Sequence, residues 1–271
     1  MISSHAAARA ALTGAIAIAM PLLLTRCWYD LDPLQRASDA VDDAAARDGT
    51  VPGDGSSPTD GSSAPFCAAH HDLCEDFDSD AGLTAWQVTR ANGGQIGIDS
   101  DAFVSPPSSL DVSLGTGRPQ GMISRSLTAS AHVICELKIR IETASNPGAP
   151  LLLVNLDAKG QGVDSYALTF GFDQSQATLT ERGTRTGGDV INVTHPFETL
   201  ARGSWQTVRI DAMLSTEGGS AEISYGSNVF GPFALVKLAA MFDAIDLGIA
   251  PSDNLSAPIQ ARFDDVACDA K

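Results

Sequence analysis

The sequence predicts an all-β protein whose folded part is one two-sheet antiparallel sandwich, and three observations carry that reading. Short runs of apolar residues alternate one for one with polar residues. Gly, Pro, Asn and Asp separate those runs at close intervals. The pattern continues from Phe66 to Lys271 without an internal repeat. Period-two runs with one apolar and one polar face are half-buried antiparallel strands. A stretch of roughly 200 such residues suits a single domain of two packed sheets.

What precedes Phe66 reads differently. "MISSHAAARA" carries one positive charge at Arg9, and "ALTGAIAIAMPLLLT" follows as an apolar run. That run falls short of the roughly 20 residues a spanning helix needs. Residues 1–26 are therefore expected to be a lipoprotein-type signal peptide, set aside from the fold. The segment ends in "LLTRC", which resembles a bacterial lipobox: Leu24 at −3, Thr25 at −2 and Cys27 as the residue to be acylated. Arg26 departs from that pattern, which has a small residue at −1. The expectation is a bacterial cell-envelope protein, anchored in the outer membrane through Cys27; plain secretion is the alternative. Residues 27–65 are rich in Asp, Ala, Gly, Ser and Pro and poor in large apolar residues. Such a segment cannot bury enough surface to offset its ordering entropy, so it reads as an acidic tether.

The formal net charge is −16, and a chain so acidic repels phosphate backbones, which argues against nucleic-acid partners. Removing residues 1–26, which carry Arg9 and Arg26 and no acid, takes −16 to −18. Five cysteines are present: Cys27, Cys67, Cys74, Cys135 and Cys268. Lipidating the first leaves four in an oxidising compartment, the even number that two disulfides need.

The strands follow in order. "SLDVSLG" puts Leu110, Val112 and Leu114 on one face, and "HVICELKIRIE" does the same for Val133, Cys135, Leu137, Ile139 and Ile141. "SYALTFGFD" aligns Tyr166, Leu168, Phe170 and Phe172; "WQTVRIDAML" aligns Val208, Ile210, Ala212 and Leu214. "SAEISYG" aligns Ala221, Ile223 and Tyr225, and "AIDLGIA" aligns Ile245, Leu247 and Ile249. Only "FALVKLAAMFDAI" admits a helical period, and it reads equally as a strand and a turn.

Taken in order, "CEDFDSDAGLTAWQV", "SPPSSLDVSL", "ELKIRI", "YALTFGFDQSQATLTERG", "GSWQTVRIDAML" and "ARFDDVACD" resemble the concanavalin A-like (LamG-like) jelly roll of bacterial exported lipoproteins of unknown function. The resemblance spans residues 66–271. It implies two stacked antiparallel sheets whose first and last strands lie side by side, with Trp86 and Trp205 in the core. The superfamily includes lectins, glycosidases, lyases and adhesion modules, so the fold does not fix the function.

Candidate chemistry is sparse. Glycosidases of this fold carry E-x-D-x-x-E on one strand, where alternation aims the carboxylates into the cleft. No glutamate here begins that pattern. A lyase would draw on a His and Tyr pair such as His132, His195 and Tyr166, but no cationic strand accompanies them. "DFDSDAG" offers Asp76, Asp78 and Asp80 as hard oxygen ligands for Ca²⁺. It has Ala81 where a calcium loop needs Gly and Gln87 where it needs Glu, and its alternative is a strand anchored by Phe77 with solvated acids. "CAAHHDLC" supplies a zinc-like set on paper, with a short Cys67–Cys74 disulfide as the alternative. Cys135 and Cys268 would then pair, which calls for a β-bulge between Phe263 and Val266. A polar face bearing Glu136, Lys138 and Arg140, beside Arg209 and Asp211, is the candidate ligand surface; its alternative is a solvated face of cross-strand ion pairs. The expected function is non-catalytic binding of a glycan or surface protein at the cell envelope. A glycan-active hydrolase or lyase and a calcium-dependent adhesion module are the competing readings. No cofactor is expected apart from that Ca²⁺.

Overall fold

The alternating text becomes fifteen strands in a computed structural model that describes residues 66–68, 71–78, 83–142, 148–173, 176–199 and 201–271. The expected signal peptide 1–26, the tether 27–65 with Cys27, and Asp80 all lie outside the described residues. A 3-10 turn, Phe66–Ala68, leads to β1 (Leu73–Glu75), β2 (Gln87–Ala91), β3 (Gln95–Asp99), β4 (Ser109–Leu114) and β5 (Gln120–Ser130). The middle of the chain gives β6 (His132–Ile141), β7 (Leu151–Gln161), β8 (Val163–Asp173), β9 (Gln176–Arg185) and β10 (Val190–Thr199). The remainder gives β11 (Gln206–Met213), β12 (Gly219–Tyr225), β13 (Asn228–Leu235), β14 (Ala239–Pro251) and β15 (Ile259–Ala270).

Eight strands form one sheet, in the order β13-β12-β11-β6-β15-β4-β3 with β1 also on β15; seven form the other, β10-β9-β8-β7-β14-β5-β2. Every pairing between these strands is antiparallel. The fold is thus the antiparallel two-sheet sandwich that the alternation predicts, with the jelly-roll form that the resemblance implies. On β6 every second residue from Val133 to Ile141 is buried, and Tyr166, Leu168, Phe170 and Phe172 do the same on β8. These faces meet between the sheets, where each buried Leu, Ile, Val or Phe contributes roughly 1.5–3 kcal/mol. The segment that admitted a helix is extended: β13 ends at Leu235, β14 starts at Ala239, and Leu238, Ala240 and Phe242 keep the two-residue period into the core. Trp86 is buried as expected, whereas Trp205 is only partly covered.

The ends of the chain close the eight-stranded sheet. β4 pairs with Ile259–Phe263 of β15, and β1 takes the rest of the same edge, setting Leu73 opposite Cys268 and Glu75 opposite Val266. Against β6, the register of β15 shifts between Asp264 and Ala267. Phe263 faces Ile139 and Cys268 faces Cys135, so β15 spends one residue more than its partner. This is the expected bulge, with Asp265 at φ 49° absorbing the extra residue. The shift turns Cys268 onto the buried face, where it bonds Cys135. Cys67 and Cys74 form the second disulfide, which removes the thiolates that a zinc site would need.

Candidate functional site

The structure brings Glu136, Lys138, Arg140, Arg209 and Asp211 onto the outer face of the eight-stranded sheet, as alternation requires. Arg209 lies opposite Glu136, and Asp211 opposite Ile134. Most of this charge is spent within the molecule. Lys138 Nζ donates to Thr207 Oγ1 at 2.8 Å, Arg140 pairs with Glu142 at 2.9 Å, and Asp211 takes both Arg209 (3.2 Å) and His132 (2.8 Å). Beside them the buried Arg262 guanidinium pairs with Asp99, with Glu142 at 2.6 Å and with Asp111 at 3.5 Å. The hydrogen bond from the Asp101 amide, and after it that from Arg262, hold Asp99 below the usual carboxylate range.

At the start of the fold, Phe77 anchors inward with φ 56°, its ring tilted against Trp86 with centroids 6.1 Å apart. Its neighbours are less solvated than the sequence suggests. β1 ends at Glu75, and Glu75 is itself occupied by the Trp86 indole (3.3 Å) and Arg125 (3.5 Å). Asp78 is pushed up by burial and then by the charges of Asp76 and Asp265. One oxygen each of Asp78 and Asp265 is buried without a hydrogen-bond partner. Asp264 is raised to about 6, burial outweighing the amides of Val104 and Ser105 that it accepts from. Asp78 and Asp265 are the carboxylates here with oxygen to offer a cation. Among the described residues, however, no three His, Cys, Asp or Glu side chains gather as a metal site.

The outer face of the seven-stranded sheet holds what sequence reasoning missed. Its register places Gln87, Ser124, Asp246, Asn155, Thr169, Thr180 and Thr194 directly opposite one another in turn, one from each of β2, β5, β14, β7, β8, β9 and β10. Every member of this row is polar. Strands lie about 4.8 Å apart, so seven span about 29 Å. The middle of the row is recessed: Asn155, Thr169 and Thr180 are only 7%, 4% and 5% exposed. Thr169 donates to Asn155 at 2.9 Å, Asn155 donates to Asp246 at 3.0 Å, and the hydroxyls of Thr180 and Thr194 lie 3.3 Å apart. A second row, Ser126, Ala244, Asp157, Ala167, Arg182 and Asn192, runs beside it. Small residues flank the polar row: Ala244 and Ala167 on that side, Gly171 and Gly248 on the other. Over β7–β10 the surface sinks into a depression of about 170 Å³, lined by Leu152, Gly171, Thr178, Arg182, Asn192 and Thr194 among others. A more open one of about 430 Å³ shares Arg182 and Asn192. Asp157 is raised to about 6, first by burial and then by Asp246. The signal in the sequence was a polar residue set among apolar neighbours in each of several strands: Asn155 in "LLLVNLDA", Thr169 in "YALTFGF", Asp246 in "AIDLGIA".

The His and Tyr residues weighed for a lyase point elsewhere. Tyr166 donates to the buried Glu181 at 2.9 Å on the inner face, and Glu181 also accepts the Val236 amide at 2.8 Å. Burial and the Glu181 charge push the Tyr166 phenol far above its ordinary range. His195 Nε2 stops 3.8 Å from Glu181, its ring stacked on Phe233 at 4.8 Å, and His132 is on the other sheet with Asp211. Among the described residues none of the three opens on the polar row.

No protein-family model matches the sequence, and no curated protein does. Solved structures do share its fold. The endo-β-1,4-glucuronan lyase of the fungus Trichoderma reesei superposes with a TM-score of 0.61 at 14% identity, over 74% of this chain and 96% of that one. The alginate lyase vAL-1 of a Chlorella virus gives 0.51 at 9% identity, over 74% and 100%. A legume lectin-like domain from Entamoeba histolytica gives 0.51 at 8% identity, over 76% and 100%. The chain therefore has the concanavalin-like sandwich fold that lyases and lectin-like domains share.

Proposed function

We propose that this is a non-catalytic, lectin-like glycan-binding domain, displayed at the cell envelope through a lipid on Cys27, and that an extended glycan lies along the polar row of the seven-stranded sheet. The continuity of that row across all seven strands carries the reading. Hydroxyl and amide groups recessed among small residues are what a sugar chain needs for hydrogen bonds, and the depression supplies the enclosure. The face first considered, around Lys138 and Arg209, has its polar groups largely committed to one another.

A glycan array probed with the protein tests the proposal. Binding by the wild type that weakens about tenfold in Thr194→Val, at unchanged melting temperature, supports it, since one lost hydrogen bond is of that size. Turnover of glucuronan, alginate or a β-glucan to shorter products would overturn it in favour of the glycan-active enzyme. The calcium-dependent adhesion alternative draws on the free oxygens of Asp78 and Asp265. It requires a melting temperature that rises with Ca²⁺ and falls with chelator. Loss of labelling by a lipid precursor in Cys27→Ser tests the anchor; unchanged labelling refutes it.

A further inference from the structure

In a chain with 33 Asp and Glu against 17 Lys and Arg, an arginine is expected to find an acid or a carbonyl. Among the described residues Arg118, Arg125, Arg140, Arg209 and Arg262 pair with carboxylates, Arg90 and Arg185 donate to carbonyls, and Arg202 is engaged as well. Arg182 has neither a side-chain hydrogen bond nor an ion pair there. Its place on the sheet is the reason. On the outer face of β9 it stands beside Ala167 of β8 and Asn192 of β10, which carry no charge, and the same face continues along β9 with Thr180 and Thr184. Asp157 lies beyond Ala167, two strands and about 10 Å away. Asp164, on β8, is taken by Thr186 at 2.9 Å.

Both depressions of this face share Arg182, and they differ in charge. The smaller one includes Asp173. The more open one, of about 430 Å³, has no acid among the described residues that line it. Around Arg182 it has the hydroxyls of Ser165, Thr184 and Ser252, the amide of Asn192, and Val190, 77% exposed, as an apolar wall. None of those four polar side chains has a side-chain hydrogen bond among the described residues. Arg182 stands two residues along β9 from Thr180, and Asn192 two along β10 from Thr194, so the pair sits about 7 Å to the side of the polar row. A spare guanidinium, a spare amide and three spare hydroxyls, free of acids, form a pocket for an anion beside the path of the glycan.

Taking the polar row as the glycan site, we infer that the more open depression is a sulfate subsite and that the ligand is a sulfated polysaccharide whose ester sulfate docks on Arg182. Reach is the first reason. A chain lying over Thr180 and Thr194 meets Arg182 only through a group that stands off the sugar ring. A sulfate on an exocyclic oxygen does so, whereas the carboxylate of a uronic acid is bonded directly to a ring carbon and stays close to the chain. The second reason is the donor set: three terminal sulfate oxygens can accept from the guanidinium fork, the Asn192 amide and the hydroxyls together. Charge is the third. One guanidinium matches the single charge of a sulfate ester, while a phosphate ester carries about −1.5 to −2 and finds no second cation in the lining. A polyuronate repeats its charge on every sugar and so sets carboxylates against Asp246 of the row and Asp173 of the smaller depression. A sulfate placed at intervals avoids both.

Isothermal titration of the full chain with sulfated galactan, fucan and cellulose oligomers, each beside its desulfated form, and with a glucuronan oligomer tests this. The net charge of −16 repels polyanions in general, so a preference for sulfate has to arise locally. On the backbone that binds, the sulfated oligomer should bind about tenfold tighter than the desulfated one, and added salt should narrow the gap. Arg182→Gln should close the gap while affinity for the desulfated oligomer and the melting temperature stay as they are, since this arginine has no partner to lose. Arg185→Gln, outside the depression, should keep the gap. Equal binding of the two forms, tighter binding of glucuronan, binding confined to uncharged glycans, or a sulfate preference that survives Arg182→Gln overturns the inference and leaves the glycan reading standing. No binding to any glycan overturns both. Selectivity is read on the wild type, so a misfolded variant would not shield the inference.

Discussion

The two outer faces of the sandwich are both polar, and they are polar in opposite ways. On the eight-stranded sheet, opposite charges alternate across strands until most are matched, with Arg262 against Asp99, Asp111 and Glu142 and with Asp211 against Arg209 and His132. On the seven-stranded sheet, hydroxyls and amides form a row with a single carboxyl, Asp246, and Asp157 stands beside it, raised to about 6 by burial and then by Asp246. A saturated ion-pair lattice stabilises the sheet and has little left for a ligand. A recessed row with spare donors and acceptors is costly to keep unless something binds there.

Predictions from this contrast run from large effects to small. Replacing both Cys135 and Cys268 with Ala opens the staple behind the charged face, a loop of sequence separation 133. On the chain-entropy model this costs about 5 kcal/mol, read by denaturant unfolding. Arg262→Ala takes the cation from Asp99 and Asp111, leaves Glu142 with Arg140 alone, and should cost about 3 kcal/mol. A loss as small as that of a surface pair would contradict the lattice account.

Acidification acts on one carboxyl in each sheet in the same direction. Asp157 and Asp264 are both raised to about 6 in the fold, above the roughly 3.9 of an unfolded aspartate. The native state then binds more protons than the unfolded state between these values, so stability increases as pH falls from about 7 to about 5. The melting temperature should rise by about 3 °C over that interval. Asp157→Asn should remove part of the rise. Asp99, held low by its hydrogen bonds, contributes in the opposite direction and only at lower pH. The smallest expected effect on stability is that of Thr194→Val, unchanged within error, although glycan binding falls.

The charged lattice was legible in the sequence because it follows from single strands: Glu136, Lys138 and Arg140 alternate on one run, and period two alone assigns their face. The same holds for the core positions of β6 and β8. The closing bulge was legible because Phe263, Val266 and Cys268 cannot share a face without one. The polar row was not. Asn155, Asp246 and Thr169 are polar residues set among apolar neighbours, and only the cross-strand register of β7, β8 and β14 sets them side by side. That register depends on irregularities at Leu152/Val154 and Leu247/Ala250, where local text carries no turn signal. The surroundings of Asp78 were misjudged for a related reason, since the Asp265 charge and the Ser108 amide that act on it come from far along the chain.

The claim that ligand binding belongs to the polar row of the seven-stranded sheet is tested most directly by comparing variants of the two faces against one glycan. Thr178→Val with Thr194→Val should abolish binding to the best array ligand, while Lys138→Ala with Arg209→Ala should leave its affinity unchanged. Loss of binding in the Lys138 and Arg209 variant, with the threonine variant binding as the wild type does, would contradict the account and return the site to the charged sheet.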